Sequence, residues 1–188
     1  MRAVARVLVS LTVFTCLAAT TVWAQHPQAR QGFWIGFGFG YGSAHATCSG
    51  CGSASEGGAT GFLKLGGTLS PKVLLGGAVN AWSKSSGGAT ETLGNVTASV
   101  FYYPAPASGF FLTGGLGFSD YNLNPSGFAT TSSTGWGFTA GAGYDIRVGR
   151  MISLTPVADF TYGGGLSPGG ATGWKQTVID FGLGVTFH

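Results

Sequence analysis

Large apolar residues occupy every second position in the most regular part of the chain. From Phe33 to Tyr41 every odd position is large and apolar, and from Gly36 to Gly42 every even position is glycine. A period of two is typical of a β-strand, because successive side chains point to opposite faces. One face of this strand is therefore a bulky apolar stripe, and the other carries almost no side chains.

Seven further segments alternate in the same way, so the sequence predicts eight strands. In each, one set of positions is rich in aliphatic and aromatic residues, and the other is mostly Gly, Ala, Ser and Thr with few charges. Pro156 interrupts the seventh segment, where a local bulge or different strand limits would accommodate it. The predicted strands are 33–41, 60–69, 73–82, 92–103, 110–118, 136–147, 152–162 and 175–187.

The predicted connections alternate between short and long. The short ones contain 70–72, 104–106 and 149–150, and the long polar ones are 43–58, 83–91, 119–133 and 163–173. Outer-membrane barrels have short periplasmic turns and longer outer loops, often with aromatic girdles near the strand ends. Candidates for such girdles are Phe33, Tyr41, Tyr102, Tyr103, Phe110, Phe118, Trp136, Tyr144, Tyr162 and Trp174.

The composition favours a membrane barrel over a soluble sandwich. Charged residues make up 8% of the chain, against roughly 25% in ordinary soluble domains. A soluble sandwich also has a charged outer face, whereas the second face here is small and mostly uncharged. The sequence therefore predicts an all-β fold: an eight-stranded antiparallel up-and-down transmembrane β-barrel with short periplasmic turns and longer outer loops.

The first residues have the features of a secretory signal peptide. Arg2 and Arg6 precede an apolar run over 7–19, and a small-x-small signal ends at Ala24. The alternatives are a retained membrane helix, for which the run is short of the roughly 20 residues required, and a lipoprotein anchored at Cys16. The predicted organisation is a signal peptide over 1–24, a short periplasmic segment over 25–32 and the barrel over 33–188.

Several polar residues fall at predicted lumen positions. The interior of an eight-stranded barrel is just wide enough for side chains, and an unpaired buried charge is costly. These residues therefore form either a plug, in which Lys64 and Arg147 pair with the aspartates, or a polar conduit for water or small ions. The candidate lumen network is Lys64, Asn80, Asn95, Asp145, Arg147, Asp159 and Asp180.

The first long loop contains the only C-x-x-C pair of the chain, formed by Cys48 and Cys51. In an oxidising compartment such a pair favours a disulfide. Zinc is an alternative, with His45 and Glu56 as the remaining ligands of a four-coordinate site, and free thiols are a third. We expect no resident metal or cofactor.

Candidate catalytic groups are sparse. A nucleophilic triad needs a histidine beside a serine and an acid, and the only histidines are His26, His45 and His188. None has supporting spacing, so we expect a protein that is not an enzyme. Seven basic and six acidic residues remain after residue 24, and without a basic patch we expect no nucleic-acid partner.

The chain from Gly32 to its end resembles the small eight-stranded outer-membrane barrels of Gram-negative bacteria, of the OmpA and opacity type. The resemblance rests on the glycine-aromatic first strand, the strand number, the loop asymmetry and the alternating ending over 179–187. It implies an outer-membrane location, contact with membrane lipids and lipopolysaccharide, and insertion by the barrel-assembly machinery. In the family the last strand is the assembly signal, here Phe181, Leu183, Val185 and Phe187, followed by His188.

Function is less specified than fold. We expect a monomeric structural or surface-interaction protein, adhesin-like or supporting envelope integrity, that displays flexible outer loops whose ligand the sequence does not identify. The alternatives are a narrow pore for water, ions or small solutes, and a lipid-modifying enzyme.

Overall fold

The computed structural model describes residues 30–188, and the predicted signal peptide lies outside them. Strands account for most of these residues, and among them no helix is long and apolar enough to cross a membrane. A single 3-10 turn spans Pro168–Gly170. The strands are β1 (Phe33–Thr47), β2 (Ala54–Ser70), β3 (Val73–Ser86), β4 (Ala89–Tyr102), β5 (Phe110–Pro125), β6 (Thr131–Tyr144), β7 (Ile146–Arg147), β8 (Ile152–Leu166) and β9 (Trp174–Phe187).

The strands form a closed antiparallel barrel. Each pairs with its neighbours in the chain, and β1 pairs with β9 to close the sheet. Both β6 and β7 pair with β8, so they are two parts of one barrel strand and the barrel has eight. The predicted fold class is confirmed. We call the end that holds the start of β1 and the end of β9 the periplasmic end, and the opposite one the outer end.

The strands reach further at the outer end than predicted. The segment predicted as a loop over 43–58 is mostly strand, with only 48–53 between β1 and β2. Hydrophobic alternation fades there because Ser, Thr, Ala and Gly occupy both faces, yet backbone pairing needs no apolar side chain. The other outer connections are also shorter than predicted, at 87–88, 126–130 and 167–173.

The tightest outer connection joins β3 to β4 through Gly87 and Gly88. Both have positive φ, +58° and +80°. A two-residue type I′ hairpin turn requires this conformation at both central positions, and glycine adopts it at little cost. The pairing of Ser86 with Ala89 therefore follows directly, and β3 and β4 form a long hairpin.

The predicted faces of the strands match the structure. Apolar side chains on the outside of the barrel are widely exposed, as for Phe39 (79%), Leu116 (72%) and Phe181 (71%), which suits a lipid-facing surface. The inward face also carries large apolar residues, which are Trp34, Phe62, Leu74, Trp82, Phe101 and Phe111. Trp82 falls on the predicted inward face of its strand, and the other five were not singled out from the sequence.

Pro156 is accommodated without the bulge that the sequence allowed. The register of β8 with β9 runs unbroken through Pro156 and shifts between Gly164 and Leu166. On the other side, the gap between β6 and β7 lies opposite Pro156, since Gly143 pairs with Val157 and Ile146 with Leu154. Because proline has no N–H to donate, the ladder is interrupted there and the register is kept.

Candidate functional site

The glycine face of β1 makes room for aromatic rings inside the barrel. A Cβ on Gly38 would lie 2.5 Å from the Cα of Gly184 and 2.6 Å from the Phe62 ring, and one on Gly184 would also lie 2.6 Å from that ring. These two glycines are paired in the β1–β9 register. The space that the glycines leave is therefore filled by Phe62 and does not form a channel.

Two apolar layers fill the lumen. Around Phe62, the periplasmic layer contains Trp34 against Phe101, with ring centroids 4.8 Å apart and nearly perpendicular. The outer layer surrounds Trp82, whose indole N–H donates to the Gly42 carbonyl at 3.1 Å. The remaining members of the periplasmic layer are Leu74, Tyr103, Phe111 and Val157, and those of the outer layer are Ala44, Leu93, Tyr121, Leu166 and Val178.

An ion pair between Lys64 on β2 and Asp159 on β8 crosses the lumen near these layers. Lys64 Nζ lies 3.1 Å from Asp159 Oδ2, and both side chains are almost fully buried. Asn80 Nδ2 donates to the same carboxylate oxygen at 3.4 Å. The ammonium also lies 4.7 Å from the centroid of the Phe62 ring, a favourable cation–π distance. Asp180 is opposite Asp159 in the register, and its side chain also faces the lumen.

A network of neutral polar side chains ties β4, β5, β8 and β9 together. Ser119 Oγ donates to Asn95 Oδ1 at 3.0 Å, and Gln176 Nε2 donates to Ser119 Oγ at 3.0 Å. Asn95 Nδ2 in turn reaches the Tyr162 carbonyl at 3.0 Å. Asn95 was among the predicted lumen residues. Ser119 was not, because it fell in the predicted loop over 119–133, whereas β5 continues to Pro125. Gln176 was not included either.

The periplasmic end is closed around Asp145, which is completely buried. Its Oδ2 accepts a hydrogen bond from the Tyr103 hydroxyl at 2.8 Å, and its Oδ1 accepts one from Thr155 at 2.9 Å. His188 Nε2 lies 3.2 Å from Oδ2. Arg147, 1% exposed, interacts electrostatically with the same carboxylate.

Arg30 seals this end from the side of the N-terminal segment. Its guanidinium donates to the carbonyls of Pro106 and Ser108 at 3.0 and 2.9 Å, and Nε lies 3.9 Å from Asp145 Oδ2. The guanidinium carbon stacks 3.6 Å from the centroid of the Tyr103 ring. From the sequence, Arg30 was predicted only to lie in the short periplasmic segment over 25–32. Its contact with the barrel was not predicted, because this segment has no alternating pattern.

Two residues of this cluster correct sequence-based expectations. Tyr103 was a girdle candidate, but it is 2% exposed and turns into the lumen to reach Asp145. Tyr103 is two residues after the inward-facing Phe101 and therefore points to the same side. The inward face continues in this way past the end of β4 at Tyr102. His188, expected only to follow the assembly signal, is 7% exposed and packs against the same carboxylate.

The outer turn of β1–β2 holds the two cysteines. Cys48 and Cys51 lie next to each other, with their Cα atoms 5.4 Å apart, a separation that suits a disulfide. The two other ligands of the alternative zinc site are engaged elsewhere: His45 Nδ1 lies 2.7 Å from Ser55 Oγ, and Glu56 pairs with Lys84 at 2.9 Å. Within residues 30–188 no group of three or more His, Cys, Asp or Glu side chains is arranged to hold a metal.

The histidines show no catalytic arrangement in the part of the chain described. His45 and Ser55 contact each other on the outer face of the barrel, but no carboxylate of residues 30–188 bonds to this pair. His188 is buried against Asp145 without a nucleophile. His26 lies outside the described residues.

The side chains of the expected assembly signal point outward. Phe181, Leu183 and Phe187 are 71%, 53% and 36% exposed, and Val185 shares their parity. The strand is paired on both sides, with β1 and β8.

At the outer end, the connection between β5 and β6 carries Phe128, which is 80% exposed.

Comparison with known proteins agrees with this architecture. The outer membrane protein beta-barrel domain matches residues 12–187. Comparison with curated protein sequences gives no significant match.

Three solved structures have the same fold. The attachment invasion locus protein Ail of Yersinia pestis has a TM-score of 0.61 at 15% identity, over 84% of this chain and 99% of that one. Neisserial surface protein A gives 0.57 at 18%, over 83% and 96%. Ail in complex with the heparin analogue sucrose octasulfate gives 0.57 at 13%, over 83% and 99%.

Proposed function

The chain belongs to the outer membrane protein β-barrel family, and on this premise we propose that it is a surface-interaction protein whose barrel is a closed scaffold. The observation that carries the proposal is the filled lumen. Two apolar layers, a buried ion pair and the cluster around Asp145 occupy the space that a pore would need. With the interior used for packing, the exposed outer end is the part left to act on a partner.

The outer end is suited to contact rather than to transport. The strands continue there as long hairpins rich in Ser, Thr and Gly, which gives a rigid, hydroxyl-bearing edge in place of the flexible loops expected from sequence. Phe128 adds an exposed aromatic side chain, a residue type enriched at binding interfaces. An adhesin-like role fits this surface, and the name of the Yersinia protein, attachment invasion locus protein, also refers to attachment.

Polyanions of the kind bound to the Yersinia relative are not favoured as ligands. Lys84 at the outer end is neutralised by Glu56, and Glu91 and Asp120 lie on the same ends of β4 and β5. This surface therefore lacks the excess of positive charge that binding to a sulfated polymer needs. A neutral glycan or an uncharged protein surface suits it better.

Removal of Phe128 tests the surface role. We expect Phe128→Ser to reduce binding of cells that express the protein to an immobilised panel of neutral glycans and extracellular-matrix proteins by about tenfold, the loss of a central aromatic contact. Ala129→Ser in the same connection is the matched control and is expected to bind as the unchanged protein does. Equal binding by all three would argue against a role for this surface.

The route to the membrane forms part of the same proposal. Cleavage near Ala24 would leave Gln25 at the N-terminus, and mass spectrometry of protein isolated from outer membranes measures this directly. The outward residues of β9 would be read by the barrel-assembly machinery, and membrane lipids and lipopolysaccharide would contact the apolar exterior. We propose a monomer, no catalytic role and a loop disulfide between Cys48 and Cys51.

A narrow pore is the second candidate, favoured by one observation. Two small lumen cavities, each of about 10 Å³, lie beside Lys64 and beside Asp180. Each has room for about one water molecule. Conduction would require side chains to move and join them.

A further inference from the structure

The central lumen carries more negative than positive charge. Asp159 and Asp180 are opposite each other on β8 and β9. Within the described residues the ion pair at this position is that of Lys64 with Asp159. Both aspartates are at least 96% buried. If both are ionised, one negative charge is left over, and an uncompensated buried charge is costly.

Asn80 points an unused acceptor into the same region. Its Nδ2 donates to Asp159, which fixes the orientation of the amide and turns Oδ1 the other way. Asn80 is 6% exposed, and its Oδ1 is buried without a hydrogen-bond partner. A buried acceptor in this position calls for a donor or a cation.

Asn80 and Asp180 line one cavity. Its walls also include Thr60 and Thr161, whose hydroxyls offer further oxygens, and its volume is about 10 Å³. The indole N–H of Trp82, also in the wall, is already used by the Gly42 carbonyl. The cavity is therefore lined by oxygen-bearing and apolar side chains, and the amide nitrogen of Asn80 donates to Asp159.

We propose that this cavity binds one small monovalent cation, sodium, between the Asp180 carboxylate and Asn80 Oδ1. One positive charge balances the excess in the central lumen, and hard cations prefer carboxylate, amide and hydroxyl oxygens. Calcium takes six to eight oxygens, more than a cavity of this size supplies. Asp159 contributes its charge, and its Oδ2 remains with Lys64.

The test compares the thermal stability of the whole mature barrel in two salts. The midpoint of unfolding, followed by heat-modifiability on a gel, is measured in sodium chloride and in N-methylglucamine chloride at equal ionic strength. Sodium at about ten times its dissociation constant is expected to raise the midpoint by about 4 °C. We expect Asp180→Asn to abolish this rise and Asp120→Asn, a carboxylate outside the cavity, to retain it.

Sodium-23 relaxation on the unchanged barrel provides a second measurement that does not depend on a variant that folds. Faster sodium-23 relaxation in the presence of the barrel supports the proposal. An excess of potassium or lithium that competes for the same site is expected to reverse this effect. Equal midpoints in the two salts together with no excess relaxation would overturn it, and would mean that water fills the cavity. A midpoint that responds to pH but not to sodium would also overturn it, in favour of a proton shared by the carboxylates.

Discussion

Two buried aspartates show how single residues hold the lumen closed. Asp145 receives hydrogen bonds from Tyr103 and Thr155. It also lies beside Arg30 and His188, which come from the two ends of the described chain. Asp159, by contrast, depends on Lys64. The burial of all seven polar lumen residues follows from strand parity, which sequence supplies. Their partners across the barrel depend on strand tilt and stagger, so Arg30 and His188 were not anticipated as neighbours of Asp145.

Lys64→Met removes the one cation that pairs with Asp159 within residues 30–188. Because this leaves a buried carboxylate uncompensated, we expect a loss of about 3–5 kcal/mol in the free energy of unfolding. Urea unfolding in detergent, with heat-modifiability as the readout, measures it. Lys72→Met, at an exposed turn, is the control and is expected to change stability little. An unfolding midpoint that stays the same in Lys64→Met would contradict the plug.

The residues at the inward positions of each strand depend on the side chains that pack against that strand inside the barrel. Gly38 of β1 and Gly182 and Gly184 of β9 face the ring of Phe62 from β2, which occupies the space that their side chains would need. The sequence showed the glycines and left open whether their space was empty. The sequence left this open because the aromatic ring that fills the space belongs to another strand. Gly38 and Phe62 are brought together by the β1–β2 register, in which they are opposite each other.

At the element scale, Gly38→Val tests this packing. The new side chain would meet the Gly184 backbone and the Phe62 ring, so we expect a destabilisation of about 1–3 kcal/mol or failure to close the barrel. Gly67→Val on β2 is the matched control, since a Cβ there meets nothing within 4 Å. The two variants are compared by the fraction of folded, heat-modifiable protein after refolding. Equal folded fractions would argue that β1 and β9 have spare room.

The whole molecule combines a lipid-facing exterior, a packed interior and an extended outer end. The exterior could be predicted from sequence, since every outward position in the membrane must be apolar. The extension of the strands at the outer end could not be predicted from sequence, because Ser, Thr, Gly and Ala occur both in paired strands and in loops. A closed barrel with a raised edge is a scaffold, which directs attention from the lumen to the outer surface.

Single-channel recording of the refolded mature barrel in planar bilayers, with a heat-modifiability gel to show that the protein is folded, tests whether the lumen is closed. A closed lumen leaves the membrane electrically silent at protein densities where a known porin gives discrete steps. Reproducible steps from the folded barrel would contradict it and would place the function in the lumen, at Lys64 and Asp159.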